Sequence, residues 1–525
     1  MTAHHDYLIL GAGAAGLQMA YCMQQAGHRY LVLEAGQAPG TFFAQYPRHR
    51  KLISINKVHT GFDDREKNLR WDWNSLLCED EAMQFRHYSQ RYWPAADDLV
   101  RYLADFAAHH RLNVRYGTEA ARIERGSEGF TVTGADGEVF TATRLIVATG
   151  VRKAYVPDIP GIELCENYTD VNIDPQTFVN QRVLILGKGN SAFEMAELLT
   201  ETTAMIHVCS PNPIKMAWAT HHVGHLRAVN NNFLDTYQLK TQNAVLDAQV
   251  QRIERRDGRL VASLAYAHAD GELEQIAYDR IIVCTGFRMD VDPFAAGARP
   301  QLCIQDRFPA LTSGWESVNV PGMYFAGTLM QSRDFKKTSS GFIHGFRYNV
   351  RALFQLLERR FHGRPLPHRA VAPTAEACTA AALAVINRSS ALWQQFGFLG
   401  DLMQVNADGG LSHHSALPVD HIHDTLAARG RDYYVVTLEY GQHKAKEPFQ
   451  IQRPDSRDAD RAAQSSFLHP VVRHCRDGRV LAEQHLMEHL ETDWTQPHHV
   501  QPLRAFFERT LPVAVPEDED ALVAA

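Results

Sequence analysis

Three glycines near the start of the chain have the spacing of a dinucleotide-binding loop. Gly11, Gly13 and Gly16 stand in the sequence GAGAAG together with Ala15, and Glu34 follows further along the chain. The first glycine permits a tight turn, the second lets the backbone approach a pyrophosphate, and the third allows a helix to pack closely on a strand. An acidic residue at about this distance accepts hydrogen bonds from ribose hydroxyls, so the pattern predicts a dinucleotide site.

The same pattern recurs in the middle of the chain. The motif GKGNSA supplies the next candidates, which are Gly187, Gly189, Asn190 and Ser191. The strand that follows ends at Cys209 rather than at an acid, so the carboxylate typical of an NADH site is missing. Lys215 is the nearest side chain for the 2′-phosphate of NADPH. The loop predicts a nicotinamide dinucleotide, either NADPH or NADH, and the alternative is a fold that no longer binds nucleotide.

The elements around both loops are those that position such sites. Apolar strands over 6–10 and 182–186 lead into the loops, and helical patterns follow. Each unit closes on an apolar strand that ends in small residues, as expected where the backbone passes close to a nucleotide. These closing residues are Ala148, Thr149 and Gly150 in the first unit, and Thr285 and Gly286 in the second. A further buried strand ends at Gly327, and a helix begins near Gly341 and Phe342.

Composition excludes several classes of protein. The chain has 525 residues and a net charge of −7, which argues against a nucleic-acid binder. It has no apolar run of about 18 residues, so we expect no membrane span. Without a secretory signal, and with eight cysteines that form no CxxC pair, we expect a cytoplasmic protein with reduced thiols. The 27 histidines show no complete ligand set, so we predict no metal site.

These motifs, in this order, resemble the flavoproteins that contain two dinucleotide-binding domains. That group includes flavin-containing, Baeyer–Villiger and N-hydroxylating monooxygenases, and the pyridine nucleotide–disulfide reductases. The segments YPRHRKLISINK, WATHHVG and SGFIHGFRYNVRAL are also similar to the family of FAD-dependent oxidoreductase domain-containing protein 2. This second resemblance extends over nearly the whole chain.

The resemblance implies an α/β fold with two Rossmann-type domains, the glutathione-reductase-like FAD/NAD(P) fold. The FAD-binding domain would comprise 1–150 and 291–365, with the NAD(P)H-binding domain inserted over 151–290. Residues 366–525 would form a mixed α/β appendage of unknown role, with a helix over about 374–387, a strand over 433–438 and a charged loop over 444–463.

The resemblance also implies a reaction. Because no cysteine pair can relay electrons, we expect an NAD(P)H-dependent FAD monooxygenase that uses a flavin C4a-hydroperoxide to oxygenate a nitrogen or sulfur atom. The substrates would be molecular oxygen and a small molecule such as an amine or amino acid. Asn56 matches by position an asparagine that faces the flavin, and a turn-capping role is its alternative.

Other observations leave alternatives open. Tyr168 stands where the monooxygenases carry a histidine. The alternative hypothesis is therefore a flavin-dependent reductase or oxidase that inserts no oxygen. A non-enzymatic flavoprotein that binds a partner is the third hypothesis, and a homo-oligomer is a further alternative. Arg227, Asn230 and Asn231 could bind a carboxylate or phosphate, or could belong to a solvated helix face.

Overall fold

The protein is described by a computed structural model, which covers residues 4–427, 429–441 and 453–512. The chain divides into two units. The first comprises Met1–Gly61 and Trp71–Arg351, and the second comprises Phe62–Arg70 and Ala352–Ala525.

The first unit contains a seven-stranded sheet built around the strand His4–Leu10. In sheet order its main path is Val114–Arg115, Tyr30–Leu33, His4–Leu10, Val139–Val147, Gly129–Gly134 and Ala120–Gly126, and Met323–Phe325 also pairs with Val139–Val147. His4–Leu10 runs parallel to Tyr30–Leu33 and to Val139–Val147. The carboxyl ends of these strands therefore bring the first glycine loop, Glu34 and Ala148 to one edge, where ligands bind in such sheets.

A second seven-stranded sheet of this unit repeats the design. Its order is Leu273–Tyr278, Arg259–Tyr266, Ala244–Arg256, Met205–Ser210, Arg182–Leu186, Arg280–Val283 and Glu166–Asn167. Arg182–Leu186 is parallel to both of its neighbours, so the second glycine loop also lies at a carboxyl edge. The prediction of two Rossmann-type sheets is confirmed.

Buried apolar side chains explain these elements. Ile185, Phe193 and Ile206 are fully buried in one cluster between strands and helix. The α-helices of this unit among the described residues are Ala14–Gln25, Thr41–Gln45, Ala96–His109, Asn190–Leu199, Ala217–Thr220 and Asn232–Gln238. The first part of the helix Ile343–His362, up to Arg351, also belongs to it.

The second unit is a mixed α/β structure, as predicted for the appendage. Its antiparallel six-stranded sheet has the order Arg369–Val371, Leu411–Pro418, Leu399–Val405, Asp432–Tyr440, Leu468–Arg476 and Arg479–His485. Its helices include Arg65–Asn68, Ala375–Arg388, Ser390–Gln394 and Pro497–Thr510. In the predicted loop, residues 444–452 lie outside the described residues, and Ala459–Gln464 forms a short 3₁₀ helix.

No helix among the described residues is both long enough and apolar enough to cross a membrane.

Candidate active site

A cavity of about 720 Å³ lies in the first unit. Its wall is formed by both glycine loops and by the start of the helix Ile343–His362. The predicted residues that line it are Gly11, Gly13, Ala15, Glu34, Ala148, Thr149, Gly150, Asn190, Ser191, Gly327, Gly341 and Phe342. The structure thus gathers candidates from both sheets around one space.

Several other predicted residues do not line the cavity but pack against or hydrogen-bond the segments around it. A Cβ atom on Gly16 would lie 1.9 Å from the carbonyl oxygen of Gly11, so only glycine allows this helix to approach the loop. Gly187 has φ +123°, and a Cβ there would lie 2.3 Å from the oxygen of Cys284. The Thr285 hydroxyl donates to the Tyr155 carbonyl, and the Gly286 carbonyl accepts from the Tyr155 amide.

Gly13 and Gly189 have open space over them, as a dinucleotide-binding loop requires. Their φ values of −73° and −89° suit any residue, and a Cβ on either would meet no atom within 4 Å. Neither backbone strain nor protein packing therefore requires glycine at these two positions. Each glycine stands at the N-terminal cap of a helix, where free N–H groups bind phosphate. The open space over each cap is what a pyrophosphate would fill.

Glu34 is oriented by groups of the protein itself. Its Oε2 accepts from the Ala12 amide at 2.6 Å, and its Oε1 accepts from the Gly36 amide at 2.8 Å and from the Thr41 hydroxyl at 2.9 Å. A carboxylate offers about four acceptor positions, so one remains for a ribose hydroxyl. This buried acid fits the predicted role beside the first loop.

Asn56 does not lie in the wall of this cavity. Its side chain is 2% exposed, and its Nδ2 donates to the carbonyl oxygens of Ser89 at 2.7 Å and Arg91 at 3.3 Å. The amide is therefore used to hold a loop, which differs from the predicted position facing a flavin. Ser54 and Trp73 line the cavity near this part of the chain.

Lys215 does not line the cavity either, and its side chain is exposed. The basic residue of the second loop, Lys188, pairs with Asp247 and donates to the carbonyl oxygens of Ser210 and Asn212, each at 3.1 Å. Because that charge is already matched, the choice between NADPH and NADH stays open.

Aromatic rings form one side of the cavity. Tyr46 and Tyr168 are stacked with ring centroids 5.8 Å apart, and Phe287 lies 5.3 Å from Tyr46. The Tyr168 oxygen accepts from the Arg48 amide at 3.2 Å, and burial raises the pKa of Tyr168 above its ordinary value. Tyr168 therefore remains a neutral phenol, which can form hydrogen bonds but does not titrate near neutral pH.

Glu194 is a titratable side chain in the wall that the sequence reasoning missed. It is 7% exposed, and burial raises its pKa to about 7. Its Oε1 accepts from Asn230 Nδ2 at 3.3 Å, and its Oε2 lies 3.5 Å from His49 Nδ1. Burial lowers the pKa of His49 to about 4, so the imidazole is neutral at pH 7. The carboxyl group can therefore gain or lose a proton near neutral pH.

A sequence signal for Glu194 did exist. It stands four residues after Asn190 on the helix Asn190–Leu199, and residues with this spacing share one helix face. His344 likewise follows Gly341 and Phe342 at the start of a helix, and it lines the cavity too. Trp73 and Tyr46 carried no such signal, because only the folded chain brings them to the wall.

Comparisons with known proteins agree with this geometry. The sequence model of the family described as Pyridine nucleotide-disulphide oxidoreductase matches residues 8–327. FAD-dependent oxidoreductase domain-containing protein 2 of Mus musculus is 37% identical over 97% of this chain and 84% of its own length. Probable indole-3-pyruvate monooxygenase YUCCA1 of Arabidopsis thaliana is 28% identical, covering 40% of this chain and 48% of its own length.

A solved structure shows the same fold. Flavin-containing monooxygenase from Stenotrophomonas maltophilia aligns with 68% of this chain and 98% of its own, at a TM-score of 0.52 and 22% identity.

Proposed function

Because the chain belongs to the pyridine nucleotide-disulphide oxidoreductase family, and to the family of FAD-dependent oxidoreductase domain-containing protein 2, we propose that it is an NAD(P)H-dependent FAD monooxygenase. It is an oxidoreductase, and its cofactors are FAD and a nicotinamide dinucleotide. The proposed reaction transfers one atom of molecular oxygen to a nitrogen or sulfur atom of a small molecule.

The observation that carries the proposal is the cavity shared by both glycine loops. Gly13 and Glu34 would hold the pyrophosphate and ribose of FAD, and the N-terminal end of Asn190–Leu199 would hold the phosphates of the second nucleotide. FAD held there would supply the redox chemistry, with electrons taken from the nicotinamide and passed to oxygen. The N-terminal end of Ile343–His362 lies in the cavity wall and would favour negative charge on a bound ring.

The cysteines support a monooxygenase over a disulfide reductase. None of the eight forms a disulfide bond, and none of them lines the cavity described above. Burial raises the pKa of Cys209 to about 11, and it raises the pKa of Cys284 still further. These groups are therefore thiols at neutral pH, whereas dithiol chemistry needs a thiolate.

Two features of the wall suit oxygen transfer. The rings of Tyr46, Tyr168 and Phe287 present apolar surface, which would disfavour water beside them in the cavity. Glu194 is the wall residue that we propose to hold a proton and to deliver it during turnover, because its pKa lies close to neutral pH. Its neighbour His49 is neutral and adds no fixed positive charge.

The test is the fate of oxygen in the holoenzyme. NADPH and NADH are each supplied with a panel of amines, amino acids and thioethers under ¹⁸O₂, while coenzyme oxidation and H₂O₂ are measured together. One ¹⁸O atom in the product for each coenzyme oxidised supports the proposal. Release of one H₂O₂ for each coenzyme, with no labelled product from any compound, would instead show an oxidase. Peroxide is measured because Tyr168 replaces the histidine of the monooxygenases, a departure that is compatible with an oxidase.

A further inference from the structure

One cationic side chain in the cavity wall has aromatic neighbours in place of an acidic partner. The Arg227 guanidinium carbon lies 5.3 Å from the ring centroid of Trp73 and 5.4 Å from that of Trp93. Its Nη1 donates to the Ile53 carbonyl oxygen at 2.9 Å. Contacts with both rings restrain the guanidinium and leave other N–H groups for a ligand.

The acids of the wall do not neutralise this charge. Arg152 pairs with Glu119 at 2.8 Å and lies 3.9 Å from Asp290, and Glu194 contacts Asn230 and His49. Among the described residues, no carboxylate forms an ion pair with Arg227. Burial lowers the pKa of Arg227, yet a guanidinium remains charged in proteins. Arg227 is half-buried, and a partly desolvated charge without a counter-ion is costly, so an anionic ligand would be stabilised here.

His344 gives a second, independent indication of a ligand. Its ring is 1% exposed, and neither ring nitrogen has a hydrogen-bond partner. The ring lines the cavity and stacks on Trp73 with centroids 4.1 Å apart. Burial lowers its pKa well below the ordinary value, so one nitrogen carries a proton and the other accepts. Buried polar groups are normally paired, and a polar group of a ligand would pair this one.

Asn190 holds the segment that carries Arg227. Its Oδ1 accepts from the Arg227 amide at 3.0 Å, and its Nδ2 donates to the His225 carbonyl at 3.0 Å. The second glycine loop therefore positions Arg227, although the side chain of Asn190 was predicted only as a nucleotide ligand.

We propose that Arg227 binds the carboxylate of an aromatic small-molecule substrate, with the Trp73 indole and the His344 ring forming the adjoining wall. The guanidinium presents paired N–H groups that match a carboxylate. The edges of the stacked Trp73 and His344 rings can meet a planar apolar ring in an edge-to-face arrangement. The inference rests on the proposed function because it names the substrate class of that site. The phosphate of the nicotinamide dinucleotide is the other source of such an anion.

The test measures binding to the FAD-loaded enzyme without turnover. Benzoate, phenylacetate and 3-phenylpropionate are titrated by calorimetry beside their primary amides, which keep the ring and lose the charge. We expect at least one acid to bind about tenfold or more tightly than its amide, and Arg227→Gln to abolish that preference. Arg227→Lys, which keeps the charge, should retain part of it. The exposed Arg252→Gln serves as the matched control.

Each other outcome decides against the proposal. If every acid binds no better than its amide, or if Arg227→Gln leaves the preference unchanged, Arg227 is not a carboxylate ligand. NADPH is titrated in parallel, and a loss of its affinity in Arg227→Gln without loss of acid binding assigns the residue to the coenzyme. Flavin absorbance and melting temperature confirm that each variant is folded. The titrations measure binding and not oxygen transfer. The role of Arg227 can therefore be decided even if the protein proves not to be a monooxygenase.

Discussion

Replacing Glu194 with glutamine should make the protein more stable in alkaline solution and leave it unchanged in acid. Burial raises the pKa of this carboxyl from an ordinary value of 4.5 to about 7, so the fold favours the protonated form. Glutamine imitates that form. Its carbonyl can still accept from Asn230 Nδ2, and its amide can face the neutral His49 Nδ1, which lies 3.5 Å from Glu194 Oε2.

The magnitude follows from the pKa difference. A shift of about 2.5 units corresponds to about 3 kcal/mol of unfolding free energy, at 1.36 kcal/mol per unit. Because the folded pKa is raised, this stability is fully present below about pH 4.5. It is lost as the pH rises, and the loss is complete above about pH 7. Glu194→Gln should remove that loss, so its advantage grows over the same interval.

The assay is the melting temperature of holoenzyme from pH 4.5 to pH 8.5, compared between wild type and variant. At about 2 °C per kcal/mol for a large domain, the difference should rise from near zero to about 6 °C. The exposed Glu201→Gln should show no such trend. His49 has a lowered pKa of about 4, so its protonation acts below pH 6.5 in both proteins and cancels in the comparison. A difference that is constant across the pH range, or that favours wild type at pH 8, would refute the reasoning.

Three further changes test the site and the second unit. Gly13→Ala should leave the apoprotein folded, because its Cβ meets no protein atom, but should weaken FAD binding at least tenfold by flavin fluorescence. Gly189→Ala should weaken nicotinamide dinucleotide binding in a calorimetric titration while FAD content stays normal, and equal loss of both cofactors would contradict separate sites. Asp401→Ala should destabilise the second unit by about 2–4 kcal/mol, since it removes the carboxylate that hydrogen-bonds the buried His413 ring at 2.8 Å and accepts from the Ala416 amide at 2.8 Å. Urea unfolding followed by circular dichroism measures this loss, and exposed Asp408→Ala is its control.

Much of the fold is predictable because its signals are local. A glycine loop sets its own turn and helix start, and short apolar runs mark the parallel strands on either side. The loops at Gly11 and Gly187 therefore identify both sheets from neighbouring residues alone. The reason for glycine at positions 13 and 189 is visible only in the folded chain, where the space above both residues is open.

The candidate site is predictable only in part. Asn56 is selected by its place in a sequence pattern, but its amide turns to Ser89 and Arg91, which are distant in sequence. Position along the chain does not fix the direction of a side chain when partners that far away compete for its hydrogen bonds.

The α/β class, both glycine loops and the lack of a CxxC motif can be read from the chain alone, because each depends on residues close together in it. Which side chains reach the cavity, and in what protonation state, depends on the packing of the folded chain. The pKa of Glu194 depends on burial within the fold, and its neighbour His49 comes from a remote segment. Arg227 gains its setting from Trp73 and Trp93. Desolvation and charge pairing are properties of the packed interior, and no local pattern encodes them.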